Sequence, residues 1–219
     1  MHWDFASILD NREALIAGLI GTLRLFAICL VCGLGFGLVV GLGRYAHSRW
    51  LNWPAALFVE FFRNTPVLVQ ILWFYFALPI VAPFEISPLA AAALGISLNA
   101  AAFSADIYRG GIQSIERGQW DGARAIGMTW GQAMRRIILP QALKRMTPAL
   151  TSRAIEVFKS TTLASTVAYV ELLQQGKLIA SLNYNPIEAY TTVAAIFFVI
   201  LWPLVQLTYL LERRMKRAE

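Results

Sequence analysis

Long apolar runs, separated by short basic or polar stretches, divide the chain into pieces long enough to cross a bilayer. The first runs from about Gly18 to Leu42. The second lies within Leu57 to Ile80, the third covers about Leu89 to Ile107, and another extends from Thr191 to Leu211. Between the last two lies Leu150 to Val170, uncharged except for Arg153, Glu156 and Lys159. A charge at mid-membrane costs about 3 kcal/mol on insertion scales, so hydropathy alone argues against a span here. The distribution of basic residues argues for one. Arg44, His47 and Arg49 follow the first run, and Arg117, Arg124, Arg135, Arg136, Lys144 and Arg145 follow the third. Arg213, Arg214, Lys216 and Arg217 follow the last, whereas Pro79 to Pro88 has no Lys or Arg and carries Glu85. Basic residues gather on the cytoplasmic side of a membrane. Only a crossing at Leu150 to Val170 puts the basic tail inside, with a loop around Gln174 to Glu188 outside. Arg153, Glu156 and Lys159 recur every third residue near one helix face, where pairing lowers their cost.

The pattern therefore predicts an all-α integral membrane protein, one domain over residues 1–219. It has five transmembrane helices, the N-terminus outside and the C-terminus cytoplasmic. The start of the chain carries Asp4, Asp10, Arg12 and Glu13. A secretory signal begins basic, so no cleavage is expected. Asp10 with Glu13 fits an N-cap for the helix leading into the first run.

Composition supports the membrane reading. The 219 residues are 58% hydrophobic and only 15% charged, against about 25% in soluble domains. The net charge of +6 would suit nucleic acid, but the basic residues sit at the ends of apolar runs, and no nucleic-acid partner is expected. Gly33, Gly37 and Gly41 recur every fourth residue, which places them on one helix face where another span can come close. Gly21 and Gly35 add to that small surface; the alternative is mere tolerance of glycine in lipid. Cys29 and Cys32 have CxxC spacing but no second pair and no nearby His. They read as small core residues, and no metal site is expected. Arg24 either snorkels outward or faces a pore. No Gly-x-x-x-x-Gly-Lys-Ser/Thr loop occurs, and no nucleophile–base pair stands out. The chain reads as a non-enzyme that takes its energy from another subunit.

Glu116 to Pro140, ERGQWDGARAIGMTWGQAMRRIILP, is a polar, basic helical segment. A short amphipathic helix over Glu116 to Ala125 is broken by Gly127, which can take the left-handed turn that ends a helix. Thr129 and Gln132 form a capping box for a second helix. That helix is expected to stop at Pro140, making a rigid cytoplasmic knob. The segment resembles the EAA motif of ABC importer permeases, whose pattern is Glu-Ala-Ala, three residues, Gly, nine residues, Ile-x-Leu-Pro. Here it reads Asp121-Gly122-Ala123, Gly127, then Ile137-Ile138-Leu139-Pro140. Two signature residues depart, Glu to Asp and Ala to Gly, with charge sign and small size kept.

Three further stretches resemble the polar amino-acid branch of that family. Val59 to Gln70, with Phe62-Arg63-Asn64-Thr65-Pro66, is similar to "FRxTPLLVQ". Asp106 to Ser114 is similar to "EIxRGGIQSI", with Asp for Glu. Phe158 to Ser165 is similar to "FKxTSLAS". The resemblance implies a permease subunit for polar L-amino acids in a bacterial cytoplasmic (inner) membrane. A weak likeness of Arg63 to Pro79 leans to acidic or general amino acids. It implies a coupling loop at about residues 110–148, with Asp121, Gly122, Ala123, Gly127, Ile137, Leu139 and Pro140 as coupling residues. It also implies a second permease subunit, identical or homologous, an ATP-binding subunit dimer that binds and hydrolyses the ATP, and an extracytoplasmic solute-binding protein. No cofactor of the chain's own is expected.

An amino-acid zwitterion crossing a low-dielectric region needs partners for both charges. Candidates are Glu60, Arg63, Thr65, Gln70, Asn99, Arg153, Glu156, Lys159, Ser160 and Thr161, since polar groups within spans face protein or water. Structural Glu60–Arg63 and Arg153–Glu156 pairs are the plain alternatives. Two rival functions stay open: a self-sufficient channel or secondary transporter, and a membrane-anchored assembly protein. Neither has a use for a socket that fits an ATPase.

Overall fold

The computed structural model describes residues 5–46, 48–82 and 85–216. Asp4, His47 and Arg217, and part of the Pro79 to Pro88 stretch, lie outside the described residues. Helix α1 (Ala6–Asp10) leads into α2 (Arg12–Tyr45). Helix α3 (Arg49–Asn64) is followed by α4 (Val67–Leu72), which continues through a π-helical turn, Trp73–Ala77, into α5 (Leu78–Val81). Helix α6 spans Pro88–Gln113, and α7 spans Arg117–Ala125. Helix α8 (Trp130–Ala133) continues through a second π turn, Met134–Ile138, into α9 (Leu139–Ser160). A 3₁₀ stretch, Thr161–Val167, precedes α10 (Leu172–Asn183) and α11 (Pro186–Lys216). Among the described residues there is no strand.

Helices α2 and α6 form the spine. A side chain at Gly33 would lie 2.6 Å from Ala100 Cβ, at Gly37 2.8 Å from the Ala101 carbonyl, and at Gly41 2.9 Å from the Ala105 carbonyl. Only glycine lets the backbones meet this closely. The contact lies within the chain. Gly35 is not part of it, since a side chain there would meet nothing within 4 Å. Gly21 serves a different contact, with the Val170 carbonyl. Cys29 is buried in the core while Cys32 is exposed, so only the first is a core residue. Arg24 is exposed.

Numbers rise together along the α2–α6 contact, so the two helices run in the same direction. The chain between them must travel back, and α3 to α5 make that return. Helix α9 runs against α6, since Gly111 faces Met146 while Asn99 meets Arg153. Helix α11 starts beside the start of α2, in a cluster of Ile8, Ile179 and Ala189 with Ala14 and Leu15.

Among the described residues, three segments, Arg12–Tyr45, Pro88–Gln113 and Pro186–Leu210, are long and apolar enough to cross a membrane. The pair Arg49–Asn64 and Val67–Val81 qualifies if taken as one.

Several sequence expectations change in detail. The second apolar run, within Leu57 to Ile80, is not one straight helix; the axis turns by 102° between α3 and α4. Thr65 and Pro66 are extended, because the residue before proline avoids the α region. Pro140 does not stop the second knob helix. The preceding π turn lets Leu139 N–H bond the Met134 carbonyl five residues back, which widens the ladder where the proline ring would meet a carbonyl. The same device recurs at Trp73–Ala77, where Leu78 N–H reaches the Trp73 carbonyl just before Pro79. Pro79 is therefore helical rather than the start of a loop.

The segment Leu150 to Val170 is not one helix. Its α-helical part ends at Ser160. The hydroxyls of Thr161, Thr162 and Thr166 each donate to the carbonyl three residues back, at 2.7–2.8 Å, which suits a 3₁₀ winding. The expected loop at Gln174 to Glu188 is largely α10. Its N-cap is the buried Glu171, whose carboxylate accepts from Leu173 N–H at 2.8 Å and Gln174 N–H at 2.7 Å.

Candidate functional site

The break between α3 and α4 leaves the last carbonyls of α3 without helical partners. In a membrane such groups must be satisfied by protein or water. Thr65 Oγ1 donates to the Phe61 carbonyl at 2.8 Å. Buried Gln70 donates through Nε2 to the Phe62 carbonyl at 3.0 Å and to the Thr65 carbonyl at 2.9 Å. Asn99 Nδ2 donates to the same Phe62 carbonyl at 2.9 Å. Its Oδ1 accepts from Arg153 Nη2 at 2.8 Å. One amide thus ties the broken helix, α6 and α9 together near the middle of α6.

Arg153 is buried, and both of its terminal nitrogens are employed while Nε has no partner. Nη1 donates to Glu156 Oε2 at 2.8 Å, so the expected pair exists. Its guanidinium carbon lies 4.4 Å from the centre of the Phe103 ring, where the ring face attracts a cation. Arg63 lies over the same ring at 5.1 Å. Arg63 does not pair with Glu60. It donates to Asp106, which also accepts from Arg44. Glu60 instead accepts from Asn64 Nδ2 at 3.1 Å, within its own helix.

These groups wall an open cavity of about 540 Å³. Of the expected residues, Arg63, Thr65, Asn99, Arg153, Glu156, Lys159 and Ser160 line it. Glu60, Gln70 and Thr161 do not. Gln70 holds the break from behind, and Thr161 is buried with its hydroxyl on the Phe158 carbonyl at 2.7 Å. Glu156 keeps 61% of its side chain exposed, and Lys159 is exposed. Sequence reasoning missed Phe103 and Asp106 as site residues, and used Arg44 only as a topological marker. A signal existed: positions 99, 103 and 106 share one helix face.

The knob is built by local chemistry. Gly127 has φ +75°. Gly127 N–H bonds the Arg124 carbonyl at 2.9 Å and Met128 N–H bonds the Ala123 carbonyl at 3.0 Å, the two bonds of a Schellman motif. The Thr129–Gln132 capping box is reciprocal, at 3.0 and 3.3 Å. Ala123 is buried, and Ile138, buried, with Ile137, half-buried, packs against the end of α6. Asp121 is exposed with Arg124 at 3.6 Å. A side chain at Gly122 would meet nothing within 4 Å, and Leu139 and Pro140 are exposed. Beside them Tyr45, Arg117, Trp120, Arg124 and Trp130 line an open groove of about 650 Å³. Since the helix passes through Pro140, the knob and the cavity wall share one continuous rod from Trp130 to Ser160. Its length is roughly 45 Å.

Apolar spans, a broken helix whose freed carbonyls are met by side-chain amides, and a projecting helical knob define a membrane transport subunit. The chain belongs to a particular family of these, the binding-protein-dependent transport system inner membrane components, whose pattern matches residues 33–217. It is 35% identical over 217 residues to the glutamine transport system permease protein GlnP of Escherichia coli (strain K12), covering 99% of each chain. It is 29% identical over 216 residues, again 99% of each, to the arginine transport system permease protein ArtQ of Bacillus subtilis (strain 168). Among solved structures it is similar to a chain of an amino acid ABC transporter crystallised with histidines. There the TM-score is 0.91 and the identity 34%, covering 98% of this chain and 100% of that one. A MetNI methionine ABC transporter chain shares the fold, at TM-score 0.73 and 22% identity, over 92% and 98% of the two chains.

Proposed function

We propose that the chain is the permease subunit of an ATP-binding cassette importer that moves polar L-amino acids across the inner membrane. It does so as one domain that crosses the membrane five times, N-terminus outside and C-terminus cytoplasmic. The run of α9 and its 3₁₀ extension against α6 supports a crossing there despite its charges. The proposed partners are an ATP-binding subunit dimer at the knob, a second permease subunit, and an extracytoplasmic binding protein. ATP is bound and hydrolysed by the partner; this chain needs no cofactor of its own.

The observation that carries this reading is the continuity of the rod. Asp121, Gly122 and Gly127 present an exposed face that an ATPase can hold, with Ala123 buried beneath it. Ile137 and Ile138 seat the rod against α6, and the helix then runs through Leu139 and Pro140 to Arg153, Glu156 and Lys159. Movement at the knob reaches the cavity wall along one unbroken helical path, which passes a π turn, Pro140 and Pro148.

In the cavity, Arg63 and Lys159 are the cations placed to take a substrate carboxylate, because Arg153 is occupied by Glu156 and Asn99. Glu156 is placed to take the ammonium, with Thr65 and Ser160 completing the hydrogen bonds. Arg63, Arg153 and Lys159 against Glu156 leave a positive surplus, which extends the proposal to acidic side chains. Co-expression with candidate ATP-binding subunits tests the assignment. A permease subunit elutes from affinity purification with its ATPase; a channel or secondary transporter elutes alone.

A further inference from the structure

Asp106 stands outside the cavity lining, yet it controls one of the cavity's cations. Its Oδ2 accepts from Arg63 Nη1, and its Oδ1 accepts from Arg44 Nη1. One carboxylate therefore serves two guanidinium groups, and one positive charge is in excess. The excess falls on Arg63, whose side chain is 40% exposed, against 14% for Arg44. Losing Arg63 would leave Asp106 still neutralised by Arg44. The exchange is thus cheap for Asp106, provided a new anion receives Arg63.

The two arginines also sit at mechanically different places. Arg44 is next to the last residue of α2, and its carbonyl accepts from Asn52 Nδ2 at 2.6 Å, which fixes the turn into α3. Arg63 is next to the last residue of α3, just before the 102° break. The Arg63–Asp106 pair is therefore the ionic tie from the end of α3 to α6, beside the neutral one from Asn99 to the Phe62 carbonyl, while Arg44–Asp106 fastens a helix that the glycine face already holds.

We propose that Asp106 is a positioning residue that acts as a substrate-displaceable latch. At rest it occupies Arg63 as a substrate carboxylate would. A carboxylate entering the cavity takes Arg63, Asp106 keeps Arg44, and the end of α3 loses its ionic tie to α6 at the Thr65–Pro66 break, keeping only the one from Asn99. This rests on the reading of the cavity as the substrate site.

The test uses the assembled permease–ATPase complex without binding protein. The probes are radiolabelled L-glutamine, L-glutamate and L-arginine, and the readout is Kd by equilibrium dialysis. For the best-bound probe, Arg63→Gln weakens binding. Asp106→Asn tightens it by about tenfold, because the internal competitor is gone. In an Arg63→Gln background, Asp106→Asn changes Kd less than about twofold, since coupled residues are non-additive. A purely structural Asp106 would give no tightening, or the same effect in both backgrounds, and either result overturns the latch. Should Asp106→Asn fail to assemble because two cations are left together, Arg44→Gln with Asp106→Asn restores the balance and must show the same tightening. Failure of that pair to tighten binding also overturns the latch. If no probe binds, or Arg63→Gln leaves Kd unchanged, the cavity reading itself falls and the latch with it.

Discussion

A single buried arginine shows how the site is put together. Arg153 spends Nη1 on Glu156, Nη2 on Asn99 and a face on Phe103. A buried guanidinium needs its charge and most of its donors matched, and here the charge and both terminal nitrogens are, with Nε left unpaired. Its role is therefore to orient Glu156, which keeps much of its carboxylate in the cavity. Glu156→Gln is expected to lower transport or shift preference among amino acids, with assembly and basal ATPase activity retained. Loss of assembly with unchanged selectivity in the surviving complexes would leave only a structural pair. Lys159→Met removes one charge-assisted contact, typically about 1.5–3 kcal/mol, so probe binding to the complex should weaken roughly tenfold or more. Unchanged binding would take Lys159 out of the site. Much of this site was legible: charges in apolar runs are conspicuous, and Arg153, Glu156 and Lys159 announced themselves. Their partners were harder. Asp106 sits beside ordinary cytoplasmic-end charges, and only the parallel packing of α2 and α6 brings Arg44 to it.

At the scale of elements, two features hold the cavity open and in place. The first is the broken helix. Gln70→Leu keeps the volume but leaves the Thr65 carbonyl without a donor and halves the support of the Phe62 carbonyl. Unfolding free energy in mixed micelles should fall by about 1–3 kcal/mol; no change would mean that water replaces Gln70 freely. The second is the glycine face. A side chain at Gly37 would lie 2.7 Å from Ser104 Cβ, so Gly37→Leu should lower the chain's own stability by about 1–3 kcal/mol or more. Subunit stoichiometry in whatever folds should stay the same, because the contact is internal. A stable chain with altered stoichiometry would contradict that placement. The spacing of Gly33, Gly37 and Gly41 announced a close helix contact but not its partner, since small residues on α6 are common along its whole length. Pro66 announced a disturbance, but a kink and a 102° turn differ only in whether side chains elsewhere, Gln70 and Asn99, can serve the freed carbonyls. The π turns were invisible for a similar reason. Nothing in Leu139-Pro140 distinguishes a helix that ends from one that widens its ladder and continues.

For the whole molecule, the consequence of that continuation is mechanical. The knob was read as an isolated helix–elbow–helix unit, and its glycine turn and capping box have that geometry. Its second helix, however, is the start of the rod that carries the cavity charges. Gly127→Val puts a β-branched residue at φ +75°, where ordinary L-residues lose about 1–2 kcal/mol. No neighbour is close enough to clash with it. Membrane insertion should be unaffected, while ATP hydrolysis should lose its response to loaded binding protein; full coupling in this variant would remove the elbow from the path. The most direct test of the account as a whole is uptake by proteoliposomes that hold this chain with its ATP-binding and partner permease subunits. Labelled amino acid should accumulate only with ATP on the knob side and binding protein on the other. Accumulation driven by a proton or sodium gradient without ATP, or free downhill flux through this chain alone, would contradict it.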